Sequence, residues 1–243
     1  MKVIVIIPAA GLGTRMAGPA IGKAPAKQFT EINGIPVLIH TLRKFAAAPQ
    51  VSEIIIALRK SEAEHFSPRL EQERFRKPVR IVEGGEHRQE SVANAIKAVN
   101  AAADDLVLVH DGVRPFVDLE TIENVIEAAS KHGAAIAAVP AVDTIKQVDR
   151  TADGAVVSAT IPREHIVLVQ TPQGFRFEVL QRAFDEATRD GFTGTDESSL
   201  VERMGTPVHV VMGSARNIKI TTPADLELAE FYAGQEAKKY VAG

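Results

Sequence analysis

At 243 residues with a formal net charge of −3, the chain is long enough for one large α/β domain or two small ones, and it offers no global attraction to nucleic acid or an anionic membrane. It contains no cysteine, which excludes disulfides, thiol nucleophiles and thiolate zinc sites and fits a reducing compartment. A single soluble domain is expected. No apolar run approaches membrane-spanning length, and a strand beginning directly after Met1 leaves no room for a signal or transit peptide, so the expected location is cytoplasmic.

Short β-branched runs alternate with stretches of helical periodicity, the pattern of βαβ units around a mainly parallel sheet. In chain order the reading is strand Val3–Ile7, helix Pro36–Ala47, strand Glu53–Leu58, helix Glu62–Arg74, strand Val79–Val82, helix Gln89–Ala101, strand Leu106–Val109 and helix Leu119–Lys131. It continues with strands Ala134–Val139 and Ile166–Val169, helices Phe177–Ala187 and Glu197–Met204, strand Val208–Met212 and helix Ala224–Tyr232. Pro68 is expected to break the second helix, because proline lacks the N–H that the ladder needs. From Asp143 to Pro162, two period-two segments flank Asp153-Gly154, a hairpin signal. Isolated two-stranded ribbons are only marginally stable, so this insertion is expected to find a partner subunit.

In an open parallel sheet, ligands bind beyond the carboxyl ends of the strands. The first strand leads into Gly11 and Gly13, where backbone without Cβ can approach phosphate closely. Two familiar phosphate motifs fail there. The dinucleotide fingerprint needs a small residue where Met16 stands, and a P-loop built on Gly22-Lys23 would have Ala17 and Ala24 in place of its first glycine and its hydroxyl. Met16 thereby weakens a hydride-transfer reading. Other strand ends deliver Arg15 and Lys27, GGEHRQES, HDGVRP and ARNIKITTP. Arginines and lysines converging with one aspartate, Asp111, are what a Mg2+-bound triphosphate requires. None of the seven histidines forms an HxxxH pair or has a suitably placed carboxylate partner, so zinc and triad chemistry have little support, and His110 is read as a structural hydrogen-bonder.

The ordered set AAGLGTRM, KQF, GGEHRQESV, HDGVRPF, DTIK, QTPQGF, TDESS and NIKITTPADLELAE resembles the 2-C-methyl-D-erythritol 4-phosphate cytidylyltransferase family, from Val3 to about Tyr232. The resemblance implies a single Rossmann-like nucleotidyltransferase domain over residues 1–243, with helices on both faces of a twisted sheet and a dimerising hairpin arm at about 141–163. The implied activity is transfer of the cytidylyl group of CTP to a sugar-alcohol phosphate with Mg2+, in a homodimer. Arg15, Lys27 and Lys219 would contact phosphates at the reacting centre, and Asp111 would bind the metal. Ala9, Ala10, Gly11, Gly13, Gly84, Gly85 and Ser91 would hold the nucleotide, with the cytosine against Ala9, Ala10 and Gly85 and the Ser91 hydroxyl on the base. Arg114, Thr144 and Arg163 would reach the acceptor of the neighbouring subunit, and Thr195 that of its own.

Two positions depart from the family pattern. Ala26 precedes Lys27 where proline is usual, after an extended Ala17–Ala26 loop, and Arg216 stands where an acid is common. The sister activity on ribitol 5-phosphate and a catalytically silent nucleotide-binding protein are the rival readings. The segment TIPREHIVLVQTPQGF favours the methylerythritol enzyme over the first, and intact Arg15, Lys27, Asp111 and Lys219 argue against the second.

Overall fold

A computed structural model describes residues 1–11 and 26–241, with side chains through Glu236. Gly13 and Arg15 lie outside the described residues, as do Met16 and most of the Ala17–Ala26 loop. Seven strands form one sheet: β1 (Val3–Pro8), β4 (Glu53–Leu58), β5 (Val79–Glu83), β6 (Leu106–Val109), β7 (Ala134–Pro140), β10 (Val167–Arg176) and β11 (His209–Met212). Their order is β11-β7-β10-β6-β1-β4-β5. β1 runs parallel to β4 and β6, β4 to β5, and β11 to β7, while β10 is antiparallel to both its neighbours.

Strands covered on both faces read as continuous apolar runs, and β1 follows that rule. Val3, Val5 and Ile7 face one core with Ile54 and Ile56, beneath α1 (Val37–Ala47), α2 (Lys60–Gln72) and α4 (Leu119–His132). Ile4, Ile6 and Ile55 face the other, beneath α3 (Arg88–Ala98), α5 (Phe177–Arg189) and α6 (Glu197–Arg203). The one-residue alternation thus splits β1 between two layers. A third cluster, with Ile32, Val113, Phe116 and Ile220, seats α7 (Pro223–Val241) against a small hairpin of β2 (Glu31–Ile32) and β3 (Ile35–Pro36).

Two expectations need correction, and one element goes beyond them. The helix is not broken at Pro68: α2 runs through it, because Pro68 and Glu64, whose carbonyl loses its donor, are exposed and solvent can satisfy that oxygen, while buried Phe66 anchors the turn. The strand expected at Ile166–Val169 extends to Arg176 and runs antiparallel, shifting register against β7 between Val169 and Gln173. The β2–β3 hairpin was not expected, although Asn33-Gly34, with φ of 53° and 75°, is its turn signal. The ribbon between Asp143 and Pro162 is present as β8 (Ile145–Thr151) and β9 (Gly154–Ile161), with Ala152-Asp153 at its tip. Among the described residues no helix is long and apolar enough to cross a membrane.

β10 crosses α4 so closely that Gly174 has no room for a side chain: a Cβ there would stand 2.8 Å from Val125 Cγ1 and 2.9 Å from Leu108 Cδ2. Gly174→Ala is expected to destabilise the fold by about 1–3 kcal/mol through overpacking, measured as a lower urea midpoint at unchanged slope.

Candidate active site

The carboxyl ends of the parallel strands surround a cleft of about 180 Å3, which shares Arg88, Asp111 and Lys219 with an adjoining depression of about 190 Å3. On the β1 side the backbone of Ala9 is fixed from two directions. Its N–H donates to Ala57 O at 2.9 Å, and buried Gln28 donates Nε2–H to its carbonyl at 2.6 Å. Gln28 belongs to the short 3-10 turn Lys27–Phe29, so the same contact brings Lys27 to the cleft wall.

Gly84 closes the end of β5 onto this segment, since a Cβ there would lie 2.6 Å from the Ala10 methyl. Gly85 N–H then donates to Ser91 Oγ at 3.0 Å, and the Ser91 hydroxyl donates to His87 O at 3.0 Å. The resemblance puts this hydroxyl on a base. Here it holds the turn that carries the backbone of Gly84 and Gly85.

β6 delivers His110 and Asp111. Buried Asp111 faces three cations, with Oδ2 at 2.8 Å from Lys219 Nζ and 3.7 Å from Arg114 Nε, and Oδ1 at 3.2 Å from Arg88 Nε. Burial alone pushes this carboxyl up, but Arg88, Lys219 and Arg114 outweigh it and hold the group well below the usual carboxylate range. Asp111 is therefore a permanent anion. The adjacent His110 is fully buried, and burial, only partly offset by its hydrogen bond to Arg114 and by Asp111, lowers its pKa to about 4. Its Nε2 lies 3.1 Å from Arg114 O and must donate to that carbonyl, so Nδ1 accepts from the Thr171 hydroxyl at 3.1 Å. Thr171 Oγ1 in turn accepts from Asp111 N–H at 3.0 Å. His110 is a structural hydrogen-bonder that aims the Asp111 backbone, as its sequence context indicates.

Lys219 is placed by buried Asn217. Asn217 Nδ2 donates to Thr171 O at 2.8 Å and to Gln170 Oε1 at 3.2 Å, its own carbonyl accepts from Arg114 Nη1 at 2.7 Å, and Ile220 N–H donates to Val113 O. The loop after β11 is thereby tied to β10 and to the segment after β6, and Lys219 projects over Asp111. Arg114 and Thr195 line the adjoining depression together. Thr144 and Arg163 lie apart from this cluster, exposed at the base of the ribbon, where Arg163 Nη1 donates to Val142 O at 2.7 Å.

Arg216 is turned aside. Its guanidinium carbon lies 4.3 Å from the centre of the Tyr232 ring on α7, and the residue is exposed. Arg216→Asp is expected to leave kcat/KM within about threefold of the parent and to cost at most about 1 kcal/mol of stability from the lost cation–π contact. Steady-state rates at two salt concentrations, with thermal melts of both proteins, check this. A loss above tenfold that shrinks at high salt would put Arg216 in the phosphate field.

The sequence pattern of the IspD family, 2-C-methyl-D-erythritol 4-phosphate cytidylyltransferase, matches residues 3–235. The chain belongs to this family. A 2-C-methyl-D-erythritol 4-phosphate cytidylyltransferase of Acidobacterium capsulatum is 57% identical, over 98% of this chain and 100% of its own length. One of Solibacter usitatus is 53% identical over 98% of each. Among solved structures, the 4-diphosphocytidyl-2C-methyl-D-erythritol synthase of Anaerococcus prevotii superposes with a TM-score of 0.81 at 32% identity, covering 96% of this chain and 98% of that one. The Francisella tularensis enzyme of the family gives 0.77 at 36% identity, covering 95% and 99%.

Three residues of the site escaped sequence reasoning. Arg88, at the start of α3, donates Nη1–H to Glu197 Oε1 at 2.6 Å, and burial raises the pKa of Glu197 despite that partner. Gln28 holds the Ala9 carbonyl. Each reads as an ordinary polar residue in its own segment, and only the fold joins Arg88 to a carboxylate 109 positions away.

Proposed function

We propose that the chain transfers the cytidylyl group of CTP to 2-C-methyl-D-erythritol 4-phosphate, giving 4-diphosphocytidyl-2-C-methyl-D-erythritol and pyrophosphate. The observation that carries the reading is Asp111, just after β6, facing Arg88, Arg114 and Lys219 at a cleft that Ala9 and Ala10 also line. It needs no nucleophilic side chain. A phosphate monoester has its second pKa near about 6 and is largely dianionic at neutral pH. One of its oxygens attacks the α-phosphorus of CTP, the bond from that phosphorus to the bridging oxygen breaks, and pyrophosphate leaves with the electron pair. The protein's part is to hold two polyanions in line and to stabilise charge spreading over the transferring group.

Lys27 and Lys219, with Arg15 by the family pattern, are assigned to the phosphates, and the backbone at Ala9–Gly11 and Gly84–Gly85 to the nucleotide. Enzymes of the family generally depend on a divalent cation. The residues present fit Mg2+: among the described residues no cluster of three or more acidic, histidine or cysteine side chains could hold a metal alone, and Asp111 is a lone hard carboxylate facing a site for phosphates. Bound there, the ion would neutralise phosphate charge.

A homodimer completes the proposal. The ribbon leaves Val142, Val156 and Val157 exposed at 75%, 61% and 55%, a surface fitted to a second copy, whose acceptor Thr144 and Arg163 would then contact. Two charged, membrane-impermeant substrates fit a cytoplasmic location. Pyrophosphate release from CTP plus the methylerythritol phosphate tests the assignment, with ribitol 5-phosphate as the parallel acceptor. No release with the first, or faster release with the second, would refute it.

A further inference from the structure

The three cations on Asp111 differ in how else they are held. Arg88 is shared: its Nε lies 3.2 Å from Asp111 Oδ1, while its Nη1 donates at 2.6 Å to Glu197 Oε1. Glu197 is 1% exposed, and its Oε2 is buried with no hydrogen-bond partner among the described residues, so no other donor competes with Arg88 for its charge. Arg114 is tied through Nη1 to Asn217 O at 2.7 Å. Lys219 has neither kind of tether. Among the described residues its ammonium has Asp111 Oδ2, at 2.8 Å, as its sole polar partner, and its side chain is 36% exposed, against 31% for Arg88 and 11% for Arg114.

We propose that these cations have two roles: Arg88 and Arg114 are fixed and remain on Asp111, whereas Lys219 is exchangeable, ceding Asp111 to a divalent cation and turning to the nucleotide's phosphates. Glu197 is then a positioning residue. By drawing Arg88 toward itself it divides that guanidinium's charge between two carboxylates and keeps Asp111 open to exchange. Lys219 helps neutralise the carboxylate until a divalent cation displaces it, with or without nucleotide, and the freed ammonium can then meet incoming phosphate. The inference rests on Asp111 being the metal ligand, and adds which cation moves and which acidic residue fixes the others.

Titrating the nucleotide-free protein with Mn2+, and following free Mn2+ by electron paramagnetic resonance, tests it without turnover. Lys219→Gln is expected to tighten Mn2+ binding on the order of tenfold, since one close competing charge is gone. Glu197→Gln, which keeps the shape of the side chain, is expected to weaken binding severalfold, because Arg88 then turns its whole charge on Asp111. A parent site too weak to measure beside a measurable one in Lys219→Gln would support the same conclusion. Equal or weaker binding by Lys219→Gln, or binding by neither protein, would overturn the exchange, and an unchanged affinity in Glu197→Gln would remove its positioning role. Asp111→Asn separates the underlying reading: if it binds Mn2+ like the parent, Asp111 is not the metal ligand.

Discussion

Asp111→Asn is expected to lower kcat by at least about 10³ while the protein still binds CTP in the absence of metal. Among the described residues Asp111 is the sole carboxylate lining the central cleft, so no other side chain described there can take over as a carboxylate ligand. The amide leaves Arg88, Arg114 and Lys219 in place, and without the anion that now neutralises them their charge is more available to the triphosphate. Binding and turnover therefore separate. The variant also loses one partner of a buried ionic cluster, which costs on the order of 3 kcal/mol, although Glu197 still holds Arg88. Calorimetry with CTP and no metal, beside pyrophosphate release with Mg2+, gives the two readouts on one preparation. Turnover within tenfold of the parent would remove Asp111 from the chemistry.

The layered fold is legible because burial on two faces leaves a direct trace in composition. Val3–Ile7 and Glu53–Leu58 are strands with almost no polar residue, and the structure begins both within a residue of the expected position. β10 is hidden for the opposite reason. Its buried stretch contains Gln170, Thr171 and Gln173, whose polar groups are satisfied by Asn217, by Asp111 and by Asp196 and Ser198 respectively. A polar run with a proline looks like a loop until those distant partners are known. Asp111 and Lys219 stand out at strand ends, where position alone suggests phosphate chemistry. Glu197 instead follows the capping residue Asp196 at the start of α6, a place where acids are common for helix-terminal reasons, so its ion pair with Arg88 leaves no local signal. Arg114 is similar: sequence distance cannot reveal that its guanidinium is tied to Asn217, 103 positions away.

The second large effect concerns the ribbon. Arg163→Ala and Lys219→Ala are each expected to lose activity by on the order of 10² or more, and an equal mixture, after subunit exchange, to recover about one quarter of the parent's specific activity. Lys219 sits on Asp111, in the body of its own chain, whereas Arg163 lies exposed at the ribbon's base, outside both parts of the cleft. If both act in one site, they reach it most directly from two subunits. Random exchange makes about half the dimers mixed, and each mixed dimer has one site with both residues and one with neither, which gives the quarter. The ribbon needs a partner on energetic grounds as well: β8 and β9 pair with each other in a separate two-stranded sheet, and Val148, Val156 and Val157 are exposed at 47%, 61% and 55%. Native mass spectrometry on isotopically distinct chains would establish exchange independently of activity. Recovery near one quarter requires the two residues to come from opposite chains; exchange with no recovery would place them in the same subunit and leave the ribbon's apolar surface without a catalytic role.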